Sequence, residues 1–164
     1  MDIRPVESAE EWEHARRIRT RVFVDEQNCP PELEWDEHEE ASRHLLGYVD
    51  GEAVAVARWR AVAFDDKIAA KLERFAVLPD HRGRGLGRQM VAFTIEDARR
   101  AGFDAFILHA QAHLKQFYRA FDFEQVGEEF VEAGISHFKM IRVDRQVSSE
   151  RSGRYPPRPH SAAR

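Results

Sequence analysis

The sequence predicts a mixed α/β domain: a mostly antiparallel sheet flanked by helices, with elements in the order β-α-β-β-β-α-β-α-β-β. Three observations carry this. Short runs of β-branched and aromatic residues recur on either side of segments with helical period. Asp50-Gly51 divides two such runs, a strong hairpin turn signal. An apolar strand-like segment, Phe75 to Leu78, leads through Arg82-Gly83-Arg84-Gly85-Leu86-Gly87 into an amphipathic helical pattern.

Taken in order, Asp2 to Val6 is a short strand, stopped by Pro5 and the polar residues after it. Ser8-Ala9-Glu10-Glu11 is a capping-box pattern that opens a helix through Trp12, Ala15, Ile18, Arg19 and Val22. Asn28-Cys29-Pro30-Pro31 ends it, and Pro31 to Arg43 is an acidic loop or broken short helix. Strands follow at His44 to Val49 and Ala53 to Ala61, joined by Asp50-Gly51, and then at Ile68 to Leu78. The helix after the Gly/Arg loop runs to about Ala101, where Gly102 punctuates. Phe103 to Leu108 reads as a buried strand, Ala112 to Ala120 as a helix, and Phe123 to Val126 and His137 to Val143 as late strands. From Asp144 the chain is rich in Arg, Ser and Pro with little to bury, so residues 144–164 are expected to form a flexible tail behind one domain at 1–143.

With 164 residues, 43% hydrophobic and 33% charged, the composition is that of a globular protein large enough to bury a core. The net charge of −4 argues against nucleic-acid binding that depends on overall charge. That charge is uneven, net +3 from Asp144 onward and −7 before it. A single cysteine, Cys29, rules out an intrachain disulfide and a multi-cysteine zinc site. The histidines show no paired ligand spacing, so no metal is expected. No run approaches a bilayer span and the N-terminus does not read as a signal peptide, so a cytoplasmic location is expected, with no membrane partner.

Glycines in the loop let the backbone approach a ligand and turn successive N–H groups inward. The helix start adds unpaired donors and partial positive charge, and Arg82, Arg84 and Arg88 add full charges. Together they suit a phosphate or pyrophosphate. A disordered Arg-Gly segment would not be bracketed by strand and helix. The dinucleotide fingerprint lacks its acidic residue about 20 positions on, and Gly87-Arg88-Gln89 is not the Gly-Lys-Ser/Thr of a P-loop. A structural turn that is merely basic is the bland alternative.

A second motif narrows the choice. Phe106-Ile107-Leu108-His109-Ala110-Gln111 is followed by Phe117-Tyr118-Arg119-Ala120-Phe121-Asp122-Phe123. Here residues 2–143 resemble the GCN5-related N-acetyltransferase (GNAT) family. Its Gln/Arg-x-x-Gly-x-Gly/Ala loop is matched by Arg82, Gly85 and Gly87, and its tyrosine before a helix-end Gly-Phe by Tyr118 and Phe123. Val22 to Gln27, Cys29-Pro30 and Glu132 to His137 look like the small bacterial ElaA/YjcF-like branch. Asp122 replaces the usual glycine where the chain is expected to turn left-handed, and Gln111 stands where many relatives carry Asn.

The resemblance implies a GNAT-like fold and transfer of an acetyl group from acetyl-CoA, as co-substrate, to an amine acceptor by direct attack. It places the pyrophosphate on the N–H groups of Arg82, Gly83, Arg84, Gly85, Leu86, Gly87 and Arg88. The pantetheine arm lies along Phe75, Ala76 and Val77, with Gln111 reaching the arm. The Phe75 amide would stabilise the oxyanion, and Tyr118 would protonate the departing thiolate as general acid. Relatives are often dimers, so a homodimer stays open.

Glu73 is the leading base candidate, since two residues before Phe75 it should share a sheet face with it. Its bland rival is a salt bridge to Arg58, Arg60 or Arg74. His109, His137 or a water relay are the other candidates for the base, and each histidine also has a structural reading. The acidic loop is either an attractor for a cationic amine or a solvated face. The alternative to an enzyme is a non-catalytic acyl-CoA-binding or sensing module. The acceptor itself is not spelled out.

Overall fold

The computed structural model describes residues 1–145. One sheet runs in the order β1-β2-β3-β4-β5-β8-β6, with β7 added alongside β8. The strands are β1 Asp2–Pro5, β2 Arg43–Val49, β3 Glu52–Phe64, β4 Lys67–Val77, β5 Ala105–Gln111, β6 Glu124–Gln125, β7 Phe130–Glu132 and β8 Ile135–Val143. The helices are α1 Ala9–Arg19, α2 Pro31–Glu34, α3 Leu86–Arg100 and α4 Lys115–Arg119. All strand pairs are antiparallel except β4 and β5. The mixed, mostly antiparallel architecture is the expected one. The Arg/Pro/Ser-rich segment, from residue 146 on, lies outside the described residues.

Local chemistry accounts for the element ends. Ser8 and Glu11 form the full capping box at α1. The helix then widens into a π-helical stretch, Thr20–Glu26, and stops just before Asn28-Cys29-Pro30-Pro31, where its end is expected. Asp50 and Gly51, at φ 51° and 80°, close the β2–β3 hairpin. Asp122 takes φ 63° after α4, the left-handed position expected where relatives carry glycine. Two features were not legible. The β3–β4 hairpin is longer than expected, turning at Asp65 (φ 50°), and β7 pairs with β8 across a turn at Ala133 and Gly134.

The main core lies between one face of the sheet and α3, around Leu45, Leu72, Met90, Phe106, Leu108 and Met140. A second cluster under α1 holds Ala15, Ile18, Leu46, Val56 and Ala76 on the opposite face. The sheet therefore presents two differently covered faces, and the site depends on which face each β4 residue takes.

Candidate active site

Pairing between β3 and β4 slips midway along the strands. Val56 faces Ala76 and Arg58 faces Glu73, so Ala57 alone stands opposite Arg74 and Phe75. Arg74 adopts φ 58° to make this bulge. The extra residue reverses the alternation. Leu72 and Phe75 belong to the α3 side, whereas Ala76 belongs to the α1 side. The expectation that Glu73 and Phe75 share a face is thus corrected: the bulge puts them on opposite faces.

The parallel register of β4 with β5 covers only Ala70 opposite Phe106 and Lys71 opposite Ile107. Past those positions the strands part, and a cleft of about 1190 Å³ opens between them. One end of the cleft is the glycine loop at the start of α3. No side chain caps that helix, whose N-cap is Gly85 at φ 76°. An added Cβ at Gly83 or Gly85 would meet nothing within 4 Å, so both glycines border open space. The loop has the unpaired donors and clearance that a pyrophosphate needs.

Gly83, Gly85, Leu86, Gly87, Arg82 and Arg88 all line the cleft, as do Phe75, Ala76, Val77, Gln111 and Tyr118. Arg84 is exposed and does not line it. Arg82 is committed to protein partners: its two terminal nitrogens donate to Glu26 at 2.6 and 2.9 Å, and its Nε to the Val77 carbonyl at 2.9 Å. Arg88 lies over Phe117 and Phe121. Gln111 donates to the Gln27 side chain at 3.0 Å, joining the end of β5 to the segment after α1.

Tyr118 is buried, with its ring 6.3 Å from that of Phe75 and packed on Phe117 and Phe123. Burial pushes its phenol well above the usual tyrosine range, so it stays protonated.

Glu73 lines the cleft but is tied into an ion-pair network there. Its Oε2 accepts from Arg58 at 2.9 Å and Arg60 at 3.1 Å, and Lys71 lies 3.1 Å from Oε1. Burial alone would raise this carboxyl, but Arg58 and Lys71 outweigh it and hold it down to about 2. Arg58, 1% exposed, also binds Asp36 at 2.7 Å and Glu39 at 2.9 Å. Arg19 binds Glu34 at 2.6 Å, and Arg74 binds the same carboxylate at 3.0 Å. Much of the acidic segment is therefore not a solvated face, and its Glu34 and Asp36 line the cleft already paired to arginines. It ties α2 to α1 and to the sheet. Glu37 keeps its exposure and lines the cleft.

A family model described as "Acetyltransferase (GNAT) domain" matches residues 5–143. The chain belongs to the GNAT family. It is an acyltransferase, and it is similar to the uncharacterized N-acetyltransferase YjcF of Bacillus subtilis, 37% identical over 81% of this chain and 93% of that one. Among solved structures it resembles an acyl-CoA N-acyltransferase from Pseudomonas aeruginosa, with 30% identity, TM-score 0.78, and coverage of 87% of this chain and 99% of that one. It also resembles ElaA of Escherichia coli, with 32% identity, TM-score 0.74, and coverage of 86% and 98%. Among the described residues of this GNAT chain, no helix is long and apolar enough to cross a membrane.

One GNAT cleft feature escaped the sequence. Glu132, on the unanticipated strand β7, lines the cleft with His109 and His137. A Gly at the second turn position was the one available signal. Ala133 at the first, where φ is 50°, muted it.

Proposed function

We propose that the protein moves an acetyl group from acetyl-CoA to an amine by direct attack, with Tyr118 as the proton donor to the leaving sulfur. The observation that carries this reading is that an uncapped helix N-terminus and a buried, protonated phenol open on one cleft. The N–H groups from Gly83 to Arg88 hold the pyrophosphate, with Arg88 supplying charge beside it. Arg82 braces the loop against Glu26. The unpaired edge of β4 at Phe75, Ala76 and Val77 takes the amide-bearing arm like an added strand. The Phe75 amide, freed from regular pairing by the bulge at Arg74, donates to the developing oxyanion. Tyr118 gives its proton to sulfur as the carbon–sulfur bond breaks.

Calorimetry with acetyl-CoA and assay of free CoA release test the reading, using lysine, spermidine, an alanyl tripeptide and 2-phenylethylamine as acceptors. Acetyl-CoA binding with turnover on at least one amine is the expected result. Binding with no turnover on any of them would instead describe an acyl-CoA sensor.

A further inference from the structure

Attack requires a neutral amine, so a group in the cleft must accept a proton from the acceptor ammonium. Glu73 is poorly suited, because Arg58, Arg60 and Lys71 occupy its oxygens. The opposite wall holds a cluster from three strands. His109 on β5 places Nδ1 3.3 Å from Glu132 Oε1 on β7. His137 on β8 places Nε2 3.9 Å from the other oxygen of Glu132. Phe130 separates the two imidazoles, edge-on to His109 at 5.0 Å and stacked on His137 at 5.9 Å.

We infer that His109 takes the proton from the acceptor ammonium, and that Glu132 is the positioning residue that holds its imidazole for that step. This rests on the acyl-transfer reading above. A carboxylate only accepts hydrogen bonds, so the Glu132 contact fixes the His109 proton on Nδ1 and leaves the lone pair on Nε2. The imidazolium that forms then lies against a negative charge, the arrangement that makes a carboxylate-held histidine an effective base. His137 is less suited. It is buried, and with its Nδ1 donating to the Ile135 carbonyl at 2.7 Å, its remaining Nε2 is turned to Glu132 at 3.9 Å. The charged or titratable groups facing His109 are Glu132 from β7, His137 and Lys139 from β8, the latter the cross-strand partner of His109, and Lys71 from β4, which acts on Glu132.

The step balances. His109 Nε2 takes one proton from the ammonium and later releases it to solvent. The nitrogen lone pair forms the carbon–nitrogen bond and the carbon–sulfur bond breaks with its electrons on sulfur. Tyr118 protonates that sulfur, and the second proton leaving the new amide nitrogen restores the phenol through water.

The experiment uses the fastest amine of the panel above with His109→Gln, Glu132→Gln and the double variant. His109→Gln should lower kcat by about 100-fold with the acetyl-CoA KM unchanged, and Glu132→Gln by roughly tenfold. The double variant should be no slower than His109→Gln alone, because Glu132 acts through His109. A kcat within about threefold of wild type for His109→Gln, or losses that multiply in the double variant, overturns the inference. Carbon-detected NMR titration of the Glu132 carboxyl supplies a readout without turnover. That carboxyl is held low chiefly by the His109 hydrogen bond, so its midpoint should rise in His109→Gln, and an unmoved midpoint overturns the pairing. Absence of turnover by the wild-type protein on every amine overturns the acyl-transfer reading itself, and the base role falls with it.

Discussion

Glu73 and Phe75 are two residues apart on one strand and lie on opposite faces of the sheet, because Arg74 between them takes φ 58°. This one inserted residue gives Glu73 to an ion-pair network under α2 and Phe75 to the ring of Tyr118. The bulge follows the last β4–β5 pair, Lys71 with Ile107, so it lies on the stretch of β4 that borders the cleft.

Arg58 holds Asp36, Glu39 and Glu73 together while 1% exposed. Replacing it with methionine takes one buried cation from three carboxylates that keep only Arg19, Arg60, Lys71 and Arg74, so Arg58→Met should cost about 3 kcal/mol in urea unfolding. Arg100→Ala, which removes an exposed pair with Glu96, should stay within about 1 kcal/mol.

Acid should weaken the fold in a defined window. Glu73 ionises near 2 in the folded state against 4.5 when unperturbed, so its contribution is present above about 4.5 and is lost as pH falls toward 2. Asp36 and Glu39 are also held low against the raising effect of burial, and act with the same sign. Glu34 runs the other way: burial raises it despite Arg19, so it favours the fold less as pH rises. Unfolding midpoints measured from pH 6 to pH 2 should fall most steeply below about 4.5, and Glu73→Gln should flatten that slope.

Gly85→Val should abolish cofactor binding more than it harms the fold. The position has φ 76°, which a branched side chain resists, and its Cβ would enter the open end of the cleft. Calorimetry should show acetyl-CoA affinity falling at least tenfold, or about 1.4 kcal/mol, with a smaller change in melting temperature.

Features set by near neighbours were legible in the sequence. The Arg82 to Gly87 loop, the Ser8/Glu11 capping box and the Asp50-Gly51 turn each follow from a few adjacent residues, and the left-handed Asp122 from the family resemblance. What escaped depends on distant partners or on residues in unfavoured conformations. Arg58 meets Asp36 across 22 positions, and Arg82 meets Glu26 across 56, so no local pattern announces either pair. Arg74 and Ala133 carry side chains that normally avoid positive φ, which hid both the bulge and strand β7. The place of Glu132 in the cleft depends on that strand and carries no local signal of its own.

The proton-donor role of Tyr118 is the central claim, and one variant tests it most directly. Tyr118→Phe keeps the packing against Phe75, Phe117 and Phe123 while removing the phenol oxygen. With the fastest amine acceptor, kcat should fall by about 100-fold while the calorimetric affinity for acetyl-CoA stays within about twofold. An unchanged kcat, or equal losses in kcat and acetyl-CoA affinity, would contradict it.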